Sequence, residues 1–294
     1  MCAGDIRIRF LGGDLLLVQK YVRLSLATLL LAGLVPGIAC GGGRSAVPQS
    51  GSVSGNWQFT LNGPNPPALI FTGFLSQSNG AMSGSLLEAY VTNCSGAGSV
   101  SGTGTGQNVS GAINGQNVSL NLNQSGAVIG LTGTASSGTG GSMTGNFTSQ
   151  PGVCSFIPSS GTWSAVQVAP IAGSFHGTFS SGPGALANVK GTLSQGPNTG
   201  YSTATLSGTL TPTSGATFCS YVLPGTITGL ISGTTISLNL YDESGNEYAQ
   251  LGQIGANPAV TVTPDGSSVN GTYLFNALSD SCPSAQGNFT LSFP

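Results

Sequence analysis

The chain has 294 residues, of which only 5% are charged, and its formal net charge is −2; typical globular domains carry about 25% charged residues. That scarcity excludes nucleic-acid binding, which needs clustered Lys and Arg against phosphates, and the 39% hydrophobic content excludes the disordered class. Glycine supplies 48 residues, more than twice the usual share of about 7%, so a folded chain with many tight turns is expected.

Residues 1–39 read as an export segment. Leu24 to Ala39 is an apolar run without a charge, preceded by Lys20 and Arg23. This is the basic and apolar anatomy of a secretory signal. It is short of the roughly 20 apolar residues that span a bilayer, and Pro36-Gly37 breaks its helix near the end. Asp5 and Asp14 fit a basic leader poorly, and a start near Val18 would give a compact signal. Small side chains at Gly37 and Ala39 precede Cys40. Gly37-Ile38-Ala39-Cys40 resembles the lipobox of bacterial lipoproteins, with Gly37 standing where that family usually has Leu. The resemblance implies cleavage before Cys40, a diacylglycerol on its thiol and anchoring of the protein to a membrane. With Gly41 next, and not Asp, it implies the outer membrane of a bacterial envelope. The alternative is an ordinary secretory signal cut near Ala39. Residues 40–51 then form a Gly-rich tether of the flexible class.

The remainder is written twice. Gly55–Leu61 matches Gly173–Phe179, Thr72–Gln77 matches Lys190–Gln195, and Val118–Leu122 matches Ile236–Leu240, all at an offset of 118 residues. Met143–Phe147 matches Val269–Tyr273, and Gly161–Trp163 matches Gly287–Phe289, at an offset of 126. The change of offset predicts inserted residues in the second copy. The copies occupy residues 52–168 and 171–294, joined by Val166–Ile171, where Pro170 suits a boundary because it cannot donate to a sheet ladder.

Within each copy, apolar residues alternate with polar ones. Trp57, Phe59 and Leu61 do so, as do Phe71, Gly73 and Leu75, Leu120 and Leu122, and Phe289, Leu291 and Phe293. Period two means strands with one buried and one wet face. Turn pairs separate the runs at Asn79-Gly80, Asn114-Gly115 and Ser244-Gly245. No sustained helical period follows Cys40. The expectation is an all-β chain of two tandem antiparallel β-meander domains with seven or eight strands each, barrel or sandwich. The opening Gly55-x-Trp57 is weakly similar to the first strand of lipocalin and avidin-like barrels.

Of six cysteines, Cys2 leaves with the signal and Cys40 is taken by lipid. Cys94, Cys154, Cys219 and Cys282 remain in an oxidising compartment. Four cysteines allow three pairings. The repeat favours pairing within copies, Cys94–Cys154 and Cys219–Cys282, with a crossed pairing as the alternative. Each loop of about 60 residues would contribute about 4 kcal/mol through the unfolded state.

Reactive groups are scarce. His176 is the single histidine, and it faces away from Phe175 and Phe179 on its strand, toward solvent. Alone it has no second ligand for a metal site. Gly200-Tyr201-Ser202-Thr203-Ala204 is the nearest approach to a nucleophile elbow, but strands surround it and no helix follows. Asp242, Glu243 and Glu247 straddle a Ser-Gly turn, where carboxylates are simply solvated. The Gly-rich tract 96–115 lacks the aspartates of calcium-binding repeats, and the Asn-x-Ser/Thr triplets at Asn108, Asn117, Asn146 and Asn288 reflect composition. No enzyme activity, cofactor or metal is expected. The residues lead to a lipid-anchored envelope protein with a structural or adhesive role. The alternative is a binding module holding a small apolar or sugar-like ligand in the barrel mouths, with Trp57, Trp163 and Tyr201 as stacking surfaces.

Overall fold

The computed structural model describes residues 52–64, 68–88, 108–124, 127–136, 141–150, 158–181, 184–199, 202–215, 222–252, 260–276 and 284–294. The export segment, Cys40 and the tether lie outside the described residues. So do Cys94, Cys154, Cys219, Cys282 and Tyr201.

The first copy forms β1 (Gly55–Asn62), β2 (Leu69–Ser78), β3 (Ala81–Glu88), β4 (Val109–Asn114), β5 (Asn117–Gln124), β6 (Ala127–Ala135), β7 (Ser142–Gln150) and β8 (Ser160–Val168). Each strand pairs antiparallel with its neighbour in sequence, and β8 returns to β1 from Asn56↔Val168 to Asn62↔Thr162. The result is a closed eight-stranded meander, which leaves no strand edge open. The Asn79-Gly80 pair makes the two-residue turn between β2 and β3 with φ of 50° and 82°. Two positive φ values in succession favour Asn-Gly at that turn.

The second copy forms β9 (Ala172–Ser181), β10 (Gly184–Asn198), β11 (Ala204–Gly215), β12 (Gly225–Ser232), β13 (Thr235–Asp242), β14 (Glu247–Leu251), β15 (Val260–Val262), β16 (Ser268–Phe275) and β17 (Ala285–Ser292). β17 pairs with β9, and β12 pairs with β13, so this copy is also a closed eight-stranded antiparallel barrel. The shift in offset falls between β13 and β16, where this copy has two short strands in place of one. Both β14 and β15 lie between β13 and β16, β14 against Leu238–Tyr241 and β15 against Thr235 and Ile236. The position held by the continuous β6 in the first barrel is thus held here by two pieces.

Both barrels have interiors filled by their own side chains. Trp57, Phe59, Phe71, Phe147 and Trp163 fill the first, all at most 2% exposed. The Phe59 and Trp163 rings stack at 5.8 Å. Phe179, Tyr273, Phe275 and Phe289 form a corresponding cluster in the second, with Phe179 stacked on Phe289 at 5.4 Å. An eight-stranded barrel has an interior just wide enough for side chains, so bulky rings need small neighbours. A Cβ on Gly161 would sit 2.6 Å from the Phe147 ring, and one on Gly191 would sit 2.7 Å from the Phe175 ring. The glycine-rich composition is in part what lets aromatic residues fit inside.

Candidate functional site at the seam between the barrels

Strand β2 departs from the expected alternation. Phe71, Gly73 and Leu75 face the barrel interior, yet Thr72 and Phe74 on the outer face are buried as well. They are covered by the second barrel, through Ser202 and the turn from β12 to β13. The Asn56 side chain amide donates to the Gly233 carbonyl at 2.8 Å and accepts from the Gly233 N–H at 2.7 Å. Ser232 Oγ donates to the Ser202 carbonyl at 2.8 Å and lies 2.9 Å from Thr72 Oγ1. Thr234 Oγ1 donates to Gln58 Oε1. Gly233 has a φ of +57°, and a Cβ there would meet the Thr72 side chain at 2.6 Å. Only glycine gives both that turn and that approach.

The connection is shorter than the expected Val166–Ile171 linker. β8 continues through Val168, because Val166 pairs with Gln58 and Val168 with Asn56. Val168 and Phe74 both join the apolar cluster centred on the second barrel. Just beyond, the Ala169 N–H donates to the Pro264 carbonyl at 2.8 Å, which fixes the β15–β16 turn against the crossover.

A half-open cleft of about 670 Å³ runs along this seam. Its apolar wall comes from Phe74, Val166, Val168, Pro170 and Pro264. Among the described residues, Asp265 is the one charged residue that lines it. Three hydrogen bonds converge on Asp265 Oδ1, from Thr263 Oγ1 at 2.6 Å, Ser267 Oγ at 2.8 Å and the Ser267 N–H at 3.1 Å. They hold its carboxyl down at about 2, the Thr263 hydroxyl contributing most. Gln195 also lines the cleft, and its Oε1 is buried with no hydrogen-bond partner. At the matching place in the first barrel, Gln77 Oε1 accepts from the Val53 N–H at 3.1 Å.

The residues singled out in the sequence are placed elsewhere. The indole N–H of Trp57 donates to the Val53 carbonyl at 2.7 Å, and that of Trp163 is shared between the Thr132 and Asn146 carbonyls at 3.2 Å each. Both rings are core side chains of the first barrel and line no part of the cleft. His176 is exposed on β9, as its phase on the strand predicts, opposite Lys190 of β10. Asp242 accepts from the backbone N–H groups of Asn246 at 2.8 Å and Ser244 at 2.9 Å, which lowers its carboxyl from the ordinary range, Asn246 leading. Its carboxylate caps the β13–β14 turn. Among the described residues, no group of three His, Cys, Asp or Glu side chains could hold a metal ion.

Sequence reasoning missed Asn56, Thr72, Gln195 and Asp265. The signal that could have found the seam was Phe74, a large apolar residue in the outward phase of β2. Its counterpart in the second copy is Thr192, which is exposed. No protein-family model matches the chain, and no curated protein matches it in sequence.

Proposed function

We propose that the protein is a lipid-anchored, non-enzymatic component of the bacterial envelope, in which two barrels on a Gly-rich tether serve a structural or adhesive role. The filled barrel interiors carry this reading. Phe59 stacks on Trp163, and Phe179 on Phe289, so aromatic side chains of the chain itself pack inside both barrels. Contacts with other envelope components then fall to the outer surface, which is rich in Ser, Thr and Asn and poor in charge. The lipobox-like Gly37-Ile38-Ala39-Cys40 supplies the anchor. Stable anchoring takes about two lipid chains or more, and a diacylglycerol on Cys40 meets that need.

Fractionation and lipid labelling of cells carrying the full chain test this. The native protein is expected in the membrane fraction with label, and Cys40→Ser in the soluble fraction without it. A Cys40→Ser protein that still sediments with membranes overturns the anchor.

A further inference from the structure

We infer that the cleft at the seam is a binding site for a small ligand with an apolar body and a cationic, hydrogen-bond-donating head, of the alkylammonium class. The volume of about 670 Å³ suits such a molecule, since small-molecule sites run from about 300 to 1,000 Å³ and favour the junctions between domains. Apolar side chains wall it, and Val166 among them is left 36% exposed.

The polar groups set the sign of the head. Asp265 carries a charge, and among the described residues no Lys, Arg or His lines the cleft to balance it. Its three hydrogen bonds all reach Oδ1, so none of them occupies Oδ2. Gln195 Oε1 is a second acceptor without a donor. A buried acceptor left unpaired costs about 1–3 kcal/mol, which the duplicated sequence avoids at Gln77 through the Val53 N–H. The terminal torsion of glutamine is soft, so the Gln195 oxygen can turn to meet a donor entering the cleft. An ammonium group has the charge to meet Asp265 and hydrogens to offer the Gln195 oxygen, whereas a carboxylate would face Asp265 with like charge. Lipidation of Cys40 has no part in the cleft, whose lining residues all follow residue 53.

The test uses the full mature chain carrying Cys40→Ser, which needs no detergent, with octylammonium, octanol and octanoate titrated calorimetrically below their micelle concentrations. Octylammonium is expected to bind at one site, with octanoate at least about tenfold weaker, the factor that one charge-assisted hydrogen bond confers. Asp265→Asn should weaken octylammonium by about tenfold and leave octanol unchanged. Val166→Trp fills the cleft from an exposed position and should abolish binding of all three while the unfolding midpoint holds. Equal affinity for octanoate and octylammonium, retained binding in Val166→Trp, or no binding by any probe each overturns the site.

Discussion

Asn56 and Gly233, 177 residues apart in the chain, exchange two hydrogen bonds of 2.8 and 2.7 Å, as residues of neighbouring strands would. A side-chain amide carries donor and acceptor side by side, so it can stand in for a backbone on the partner barrel. Asn108 does the same inside the first barrel, where it bonds the Leu86 N–H and carbonyl at 2.8 Å each.

Asn56→Ala should therefore leave both Gly233 groups unpaired under cover. The expected loss is about 2 kcal/mol, read in urea unfolding as a lower midpoint and faster hydrogen exchange at the Gly233 amide. Asn56→Asp keeps the acceptor but turns a carboxylate toward the Gly233 carbonyl, and should cost more than Ala. An Asn56→Ala protein with unchanged exchange at Gly233 would remove the clamp from the account of stability.

Tyr273 poses the opposite case. Its hydroxyl is buried without a partner, and burial raises its pKa. Phe147 holds the matching position in the first barrel, at an offset of 126 residues. Tyr273→Phe should leave stability unchanged or raise it by about 1 kcal/mol, and Phe147→Tyr should lower it. Thermal unfolding of the two variants checks the pair; a clear loss in Tyr273→Phe would mean that the hydroxyl has a partner after all.

Tyr248 gives the fold an alkaline limit. Burial pushes its phenol up to about 12 from the ordinary 10, and its hydroxyl donates to the Leu223 carbonyl at 3.0 Å. Because the native state favours the neutral form, its contribution is full below pH 10 and is lost as pH rises from about 10 to 12. The loss should reach roughly 2 kcal/mol. Stability measured across that window should fall in the native chain and fall less in Tyr248→Phe. Parallel profiles would assign the alkaline loss to other groups.

The two closed barrels lead us to expect that residues 52–168 and 171–294 each fold alone under oxidising conditions. Each should show cooperative unfolding and β-type circular dichroism. The first half would expose Phe74 and Thr72, so it should bind the second half when the two are mixed. Unreduced peptide maps should join Cys94 to Cys154 and Cys219 to Cys282. A Cys94–Cys219 peptide would contradict the pairing within copies, and insoluble halves would show that neither barrel stands without the other.

Much of this architecture was legible in the sequence because period-two alternation and the repeated motifs report the inward face directly. Trp57, Phe59 and Leu61 point inward because nothing else could bury them. The insertion was legible as a change of offset, but its form was not. Nothing in Val260–Val262 says that it would replace part of a strand opposite Thr235 and Ile236. The seam was hidden for a different reason. An outward Asn or Thr is the same residue whether water or another barrel meets it, so Asn56 and Thr72 read as solvated. Gln195 and Asp265 come to line one cleft only through the tertiary fold, and no local spacing records it.

The docking of turn against sheet joins two unlike surfaces. Repeated from molecule to molecule, such a contact forms a ring where its rotation closes and an open fibre where it does not. The first barrel still carries the corresponding turn, Asn114-Gly115-Gln116, with Gly115 at φ +61°. What the second barrel lacks is the matching face. Ser174, Lys190 and Thr192 stand at the places of Asn56, Thr72 and Phe74, all of them exposed. Seating a turn there would bury the Lys190 ammonium without a counter-charge, which is costly. Divergence at these outward positions thus leaves the second barrel without a face on which a further turn could seat.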